Sequence, residues 1–360
     1  MQVLLSFCIV CMNRIEHIKL TLEQNILENQ LPGVEFVLLD YNSTDGLEEW
    51  VRCNMKKYLD NHILVYYKEL HARKFHRTHS RNMVMKLAEG EIVCNLDADN
   101  YLGKGFASFV LDQFSRNRNI FLTSSYNQRD AIGRVCVMRK DFLSINGYNE
   151  SFSGYGLEDI ELYNRLQKVG LTQIYVDNSS FFRAISHTNK LRIENEFLYW
   201  KKNQLYISYI SPYLSEFYFF SDEICRNGYL KNNYNFYFND FEYEKKDLTQ
   251  REISPIRRVT LEGDLLEGKY ICVGNKIFFQ KSILYIQSND NAHEILSDHT
   301  RKYYKIVDES LVYSFIMKLS EAINYKKYEL FQSQRKQANP NGFGKGKVRK
   351  NFNDCIINIE

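Results

Sequence analysis

Two aspartates close a short apolar run: Asn95-Leu96-Asp97-Ala98-Asp99-Asn100 ends the stretch that begins at residue 91. Side chains alternate along an extended chain, so residues two apart at a strand end point the same way, and Asp97 and Asp99 offer two carboxylates to one point. Hard oxygen donors of this kind suit Mg²⁺ or Mn²⁺, with phosphate oxygens and water completing the coordination. Taken alone, Asp-x-Asp is as readily an acidic turn. A second stretch, Gly154-Tyr155-Gly156-Leu157-Glu158-Asp159, places two glycines before an acidic pair. Glycine lets backbone pass close to a ligand, and the pair opens a helix with Leu162, Leu166 and Val169 on one side. Glu158 and Asp159 complement the positive helix end, and the same dipole keeps a carboxylate ionised for chemistry. His187 follows another short strand; a lone histidine is more often a surface or satisfied core residue than a ligand. His71, His76 and His79 read as a polar loop rather than a second metal site.

Positioning these groups requires a frame. Apolar runs at 3–10, 34–39, 63–67 and 91–96 alternate with amphipathic stretches at 15–29, 47–58 and 80–88, which predicts a βαβαβαβ unit with a parallel sheet covered by helices. Further helices are expected at 105–116 and 157–169, strands at 120–123, 134–138, 173–176 and 181–184, and a closing helix at 190–203. Ligands of an open α/β sheet bind beyond the carboxyl ends of the strands. Those ends carry Cys11-Met12-Asn13-Arg14, Asp40-Tyr41-Asn42-Ser43-Thr44-Asp45-Gly46, the segment before Ser80-Arg81-Asn82, and Asp97 with Asp99. They are expected to share one rim.

In that order the motifs resemble the family 2 glycosyltransferases of the GT-A fold: Asn13-Arg14, the turn from Asp40 to Gly46, Ser80-Arg81-Asn82, then Asp97-x-Asp99. The resemblance implies an α/β, Rossmann-like nucleotide-sugar-binding sheet with helices on both faces. It implies donor contacts from Cys11, Asn13, Arg14, Asp40, Asn42, Arg81 and Asp97, with Asp40 on the uracil imide. Tyr41-Asn42 departs from the commoner Asp-Gly of that family. The segment Gly154 to Asp159 looks like the Gly-x-Gly-x-Glu-Asp run of the galactosyltransferase C-terminal module. That likeness implies Asp159 as base and Glu158 as acceptor ligand, the two being exchangeable, and it adds His187 to Asp97 and Asp99 as a ligand of Mn²⁺ or Mg²⁺, Mn²⁺ favoured. The expected reaction is transfer of a hexose or N-acetylhexosamine, UDP-Gal or UDP-GalNAc favoured, from a UDP-sugar to a glycan or lipid-linked glycan hydroxyl, with inversion. A retaining transferase and a silent glycan-binding module are the alternatives. Nucleotidyl transfer is disfavoured because the turn after the first strand has no Gly-rich phosphate cradle.

At 360 residues the chain exceeds one core, and three parts are expected: a catalytic domain at 1–204, a smaller α+β module at 205–335, and a basic Gly-rich tail or lid at 336–360. Within the module, the runs 269–273 and 276–280 are joined by Gly274-Asn275, which suits a hairpin, and 309–334 has the spacing of an amphipathic helix. A 44% hydrophobic and 25% charged composition is that of an ordinary globular protein, and a net charge of +3 gives no reason to invoke nucleic acid. Cys8 and Cys11 lie along one apolar strand with no second pair nearby, so the cysteines read as buried thiols and a reducing cytoplasm is expected. No signal peptide or membrane span is read at the N-terminus. The basic tail suggests peripheral contact at the inner face of the membrane.

Overall fold

The computed structural model describes residues 2–125, 133–186, 188–193, 195, 204–211, 214–221, 223–231, 260–288, 294–334 and 336–360. Two compact units are present: Met1–Ser153, Leu157–His187 and Gln334–Glu360 in the first, Gly154–Gly156 and Thr188–Ser333 in the second.

The first unit opens β1 (Leu5–Cys11), α1 (Ile15–Asn29), β2 (Val34–Asp40), α2 (Leu47–Asn54), α3 (Lys56–Asp60), β3 (Leu64–Glu69), α4 (Arg77–Leu87) and β4 (Ile92–Asp97). It continues through β5 (Asn100–Tyr101), α5 (Phe106–Arg116), β6 (Ile120–Ser124), β7 (Val135–Met138), α6 (Arg139–Ser144), α7 (Glu158–Lys168), β8 (Thr172–Val176) and β9 (Arg183–Ala184). All seven residues of β2 are buried, as a strand covered on both faces requires. Alternate residues sort to two cores. Phe7, Ile9, Phe36 and Leu38 pack with Ile18 and Leu22 of α1, Val51 of α2 and Val110 of α5. Cys8, Val37, Leu39 and Val93 pack with Met83 and Val84 of α4 and Leu162 and Leu166 of α7. Helices therefore cover both faces of the sheet, as the strand periodicity demanded.

In the second unit α8 (Asn189–Ile193) precedes eight strands: β10 (Gln204–Ser211), β11 (Leu214–Ser221), β12 (Ile224–Lys231), β13 (Thr260–Val273), β14 (Lys276–Phe279), β15 (Ser282–Ser288), β16 (Glu294–Ser297) and β17 (Lys302–Lys305). They close into a barrel. Its interior gathers Tyr206, Tyr218, Phe220, Phe279, Leu284, Leu296 and Tyr303. On the other side of β11, Phe217 and Phe219 lie 5.0 and 5.4 Å from Phe315 of α9 (Glu309–Gln334). The hairpin at Gly274-Asn275 and the 309–334 helix stand where the sequence put them; of the helix expected at 190–203, residues 194 and 196–203 lie outside the described residues.

After α9 the chain returns to the first unit as β18 (Gly346–Lys350) and β19 (Ile356–Ile359). The sheet order becomes β19-β18-β3-β2-β1-β4-β7-β6-β8, and only β7 and β18 run against the other strands. Residues 346–350 and 356–359 are thus strands of the sheet, and the segment expected as a tail or lid belongs to the first unit. Val348 pairs with Glu69, Asn351 N donates to Tyr66 O while its side-chain Oδ1 accepts from Tyr66 N, and Phe352 stacks on the Tyr66 ring at 4.9 Å. The boundary expected at 204 also moves, since the second unit begins at Thr188 apart from its three-residue piece at Gly154–Gly156.

Candidate active site

Strand register settles where the motifs meet. Cys11 pairs with Asp40, Asp40 with Lys68, and Val10 with Asp97, so the carboxyl ends of β1 to β4 lie level along one rim. The first two turns are laced together. Asn13, in the left-handed region at φ 52°, accepts from Thr44 N at 2.7 Å, Asn13 N donates to Ser43 Oγ at 3.0 Å, and Asp45 Oδ2 accepts from Ile15 N at 2.8 Å at the head of α1. Asn42, also left-handed at φ 59°, donates to Ala72 O. Arg14 is the N-cap residue of α1.

Asp40, expected on the uracil imide, has its hydrogen bonds within the protein. It is completely buried, Oδ1 accepts from Ser43 N at 2.6 Å, and Oδ2 accepts from the Tyr66 hydroxyl at 2.7 Å with Lys68 Nζ at 3.8 Å. Burial raises its pKa against these hydrogen bonds. In this structure its carboxylate organises the turn. Cys11 is equally buried, and burial pushes its thiol well above the ordinary range, so its side chain is a small hydrophobe of the core.

The centre of the site is Arg81. Its Nη2 reaches Asp97 Oδ1 and its Nη1 reaches Asp159 Oδ1, both at 2.9 Å, which joins the end of β4 to the start of α7 through one buried guanidinium. One helical turn earlier on α4, Arg77 Nη1 lies 3.2 Å from Glu158 Oε1. Gly133 leaves room for the bridge: a Cβ there would meet Arg81 Nη2 at 2.8 Å and Asp159 Oδ2 at 3.2 Å. Beneath it the Tyr148 ring lies 5.4 Å from the guanidinium carbon, a cation–π contact within a fully buried setting. Burial draws the Asp97 pKa upward, but Arg81 and Asn95 outweigh it and hold Asp97 below the ordinary carboxylate range. For Asp159 burial prevails over Arg81, with Glu158 and Asp97 adding to the rise, and its pKa is pushed up to about 6.

Asp99 sits where β4 gives way to β5. Its side chain accepts from Asn100 Nδ2 at 2.6 Å, and its carbonyl accepts from Ile185 N at 2.9 Å beside the β5–β9 pair. His187 lies outside the described residues. Among the described residues no three His, Cys, Asp or Glu side chains converge as a metal cage. Asp97 and Asp99 still fit a divalent cation in chemistry. Three carboxylates (Asp97, Glu158, Asp159) pair with two guanidiniums (Arg77, Arg81), Asp99 follows two residues after Asp97, and Mg²⁺ or Mn²⁺ sites commonly use one or two carboxylates with phosphate and water.

Several positioning residues escaped the sequence reading. Thr21, Asn25 and Asn29 recur every fourth residue on the buried side of α1 and bond the turn that carries Asp97 and Asp99. Thr21 Oγ1 donates to Ala98 O at 2.7 Å, Asn25 bonds both Asn100 O and Leu102 N, and Asn29 bonds Gly103 O and Ala107 N. Their signal was there: polar residues interleaved with Ile18, Leu22 and Ile26 on an apolar helix side. Arg134, also buried, donates to Phe181 O and Tyr101 O and holds the β5–β9 pair.

The C-terminal segment supports the other wall. Asn339 donates to Asn146 O and Tyr148 O and accepts from Glu150 N, while Gly344 N donates to Glu150 Oε1. Asn82 of α4 closes the set by donating to Tyr148 O and Glu150 Oε1 and accepting from Tyr148 N. Gly344, at φ 58°, approaches α4 so closely that a Cβ would stand 2.9 Å from the Asn82 carbonyl carbon. Histidines 76 and 79 serve the same frame. His76 caps α4, with burial and then His79 lowering its pKa to about 4, and His79 links the Tyr41 hydroxyl at 2.7 Å to Lys345 O at 2.9 Å.

Comparison with known proteins finds one family model and several solved structures. A family model described as the N-terminal domain of galactosyltransferase matches residues 122–190, the stretch that contains Glu158 and Asp159. No curated protein sequence matches the chain. Among solved structures, similarity is found to the mannosyltransferase PcManGT from Pyrobaculum calidifontis in complex with GDP-Man and Mn²⁺: 18% identity, TM-score 0.43, covering 49% of this chain and 56% of that one. S. aureus TarS 1-349 in complex with UDP-GlcNAc matches at 14% identity and TM-score 0.40, over 53% of this chain and 64% of that one. GalNAc-T7 with UDP, GalNAc and Mn²⁺ matches at 14% and 0.41, over 49% and 42%. In each case less than two thirds of the matched chain is spanned.

Proposed function

We propose that this chain is a metal-dependent glycosyltransferase of family 2 type, with a galactosyltransferase-like acidic segment, that moves a hexose or N-acetylhexosamine from a UDP-sugar to a glycan or lipid-linked glycan hydroxyl. The observation that carries the proposal is the bridge through Arg81, which sets the Asp-x-Asp strand end beside the acidic pair of α7. The family model matched over 122–190 and the nucleotide-sugar and Mn²⁺ complexes among the solved structures are in keeping with it. Mn²⁺, or Mg²⁺ in its place, would be held by Asp97, Asp99 and His187, and when bound it supplies a Lewis acid for the diphosphate.

This chain's own groups do the rest. The rim turns at Asn13, Arg14 and Asn42 border the nucleotide, and Arg81 keeps its charge against burial because Asp97 and Asp159 flank it. Asp159 takes the proton of the acceptor hydroxyl as the new bond to the anomeric carbon forms and the bond to the diphosphate oxygen breaks. A carboxylate with a pKa near 6 is a stronger base than an exposed one and remains ionised at neutral pH. Glu158, paired with Arg77, orients the acceptor. A single base, with no second nucleophile positioned among the described residues, favours inversion. Hydrolysis of a panel of UDP-sugars with Mn²⁺ and with chelator tests the reading. Expected is turnover of at least one donor, abolished by chelator; no metal-dependent turnover and no binding of any nucleotide sugar would refute it.

A further inference from the structure

The barrel carries an apolar face that its own core does not use. Tyr270, Ile277, Phe279 and Leu284 turn inward, and the residues alternating with them turn out. Ile271 pairs with Phe278 and Phe278 with Ile283, so three large side chains form one row across β13, β14 and β15, with Val273 at its corner. They are 65%, 38% and 43% exposed, and Val273 59%. Pairing of β13 with β12 ends at Lys269, so the β13–β14 hairpin projects beyond its neighbour. Charge around the row has one sign. From Gly268 to Gln287 there is no Asp or Glu, while Lys269, Lys276 and Lys281 edge the row. Two carboxylates flanking the start of this segment are engaged, Glu223 with Lys269 at 3.6 Å and Glu267 with Arg226 at 2.6 Å.

We propose that this face is a docking surface for an anionic phospholipid bilayer, with the β13–β14 hairpin and Ile283 seated among the headgroups. Weak apolar insertion and a few lysines are each insufficient alone, and together they make a stable peripheral contact. A second copy of the chain fits less well, because a two-fold contact through this row would set the lysines of one copy against those of the other. Among the described residues no helix is long and apolar enough to cross a membrane. The inference concerns the barrel alone and stands apart from the transferase reading.

Cosedimentation of the full chain with vesicles of phosphatidylcholine, and of phosphatidylcholine mixed with phosphatidylserine, tests it. Binding is expected to the mixed vesicles only. Replacing both Lys276→Gln and Lys281→Gln is expected to lower partition about 30-fold. Ile271→Thr with Phe278→Thr keeps β-branched residues in the strands and is expected to lower it at least about tenfold; unchanged circular dichroism confirms that each variant folds. Absence of binding to mixed vesicles, equal binding to both lipids, or unchanged binding of both variants would overturn the proposal. So would a dimer of the parent chain that the Ile271 and Phe278 variant dissolves, which would assign the face to self-association.

Discussion

Replacing Arg81 with methionine removes one cation from between two carboxylates and keeps the bulk of the side chain. The Asp159 limb is the deeper, with side chains 6% and 16% exposed, and losing a charge-assisted hydrogen bond there costs about 2–3 kcal/mol. Asp97 is 34% exposed, so screening reduces its limb to about 1 kcal/mol. The sum, about 3–4 kcal/mol, sits at the lower end of the cost of breaking a buried ion pair. For a unit of this size it lowers the melting transition by roughly 10 °C. The deficit must depend on pH. Without the guanidinium both carboxylates have folded-state pKa values above their unfolded ones, so the variant's folded state binds more protons than its unfolded state and its stability rises as pH falls towards 5. Thermal melts of parent and Arg81→Met at pH 8 and pH 5.5 measure this, and adding Asp159→Asn should restore part of the loss at pH 8. An equal deficit at both pH values, or one below about 1 kcal/mol, would show that the bridge is not the electrostatic centre argued here.

Other consequences are as direct. Asp159→Asn is expected to lower kcat by about 10²–10⁴-fold with little change in donor KM, and the parent rate should fall as pH drops through about 6, where the carboxylate takes up its proton; steady-state kinetics across pH checks both. Asn25→Ala removes the acceptor of Leu102 N and a donor to Asn100 O, so about 2–3 kcal/mol of stability and some Mn²⁺ affinity should be lost together, read by melting and by metal titration of donor hydrolysis. Gly344→Ala meets both a left-handed φ and the α4 backbone; a drop in kcat larger than the rise in KM is expected, since the Tyr148 loop beneath Arg81 shifts.

How legible the site was depended on the range of the forces that make it. The 15–29 helix and the strands of the first half follow from local periodicity, and the structure keeps them within a residue or two. The shared rim followed from a general rule of parallel sheets. What the residues could not reveal was pairing between them. Asp40 has the position of a ligand-facing aspartate, yet Tyr66, one strand over, claims it from within the sheet. Arg81 had been read as a nucleotide contact, and only packing of α4 against β4 and α7 shows that it first serves two carboxylates. The segment 336–360 misled for a plainer reason. Lys347-Val348-Arg349-Lys350 is charged enough to look solvated, but long basic side chains find partners on this strand, one in from the sheet edge: Lys350 lies near the Tyr67 ring and Arg349 reaches Glu48.

The late return of the chain has a consequence for how the protein is made. Glu69 emerges from the ribosome early, yet its partner Val348 is translated after every strand of the barrel. Until then β3 offers a row of unsatisfied amides and carbonyls to any passing strand, the hazard that edge capping normally removes. Nascent chains stalled between α9 and β18 should therefore depend on chaperones more than released ones, although both the barrel and the rim of β1 to β4 have already been synthesised.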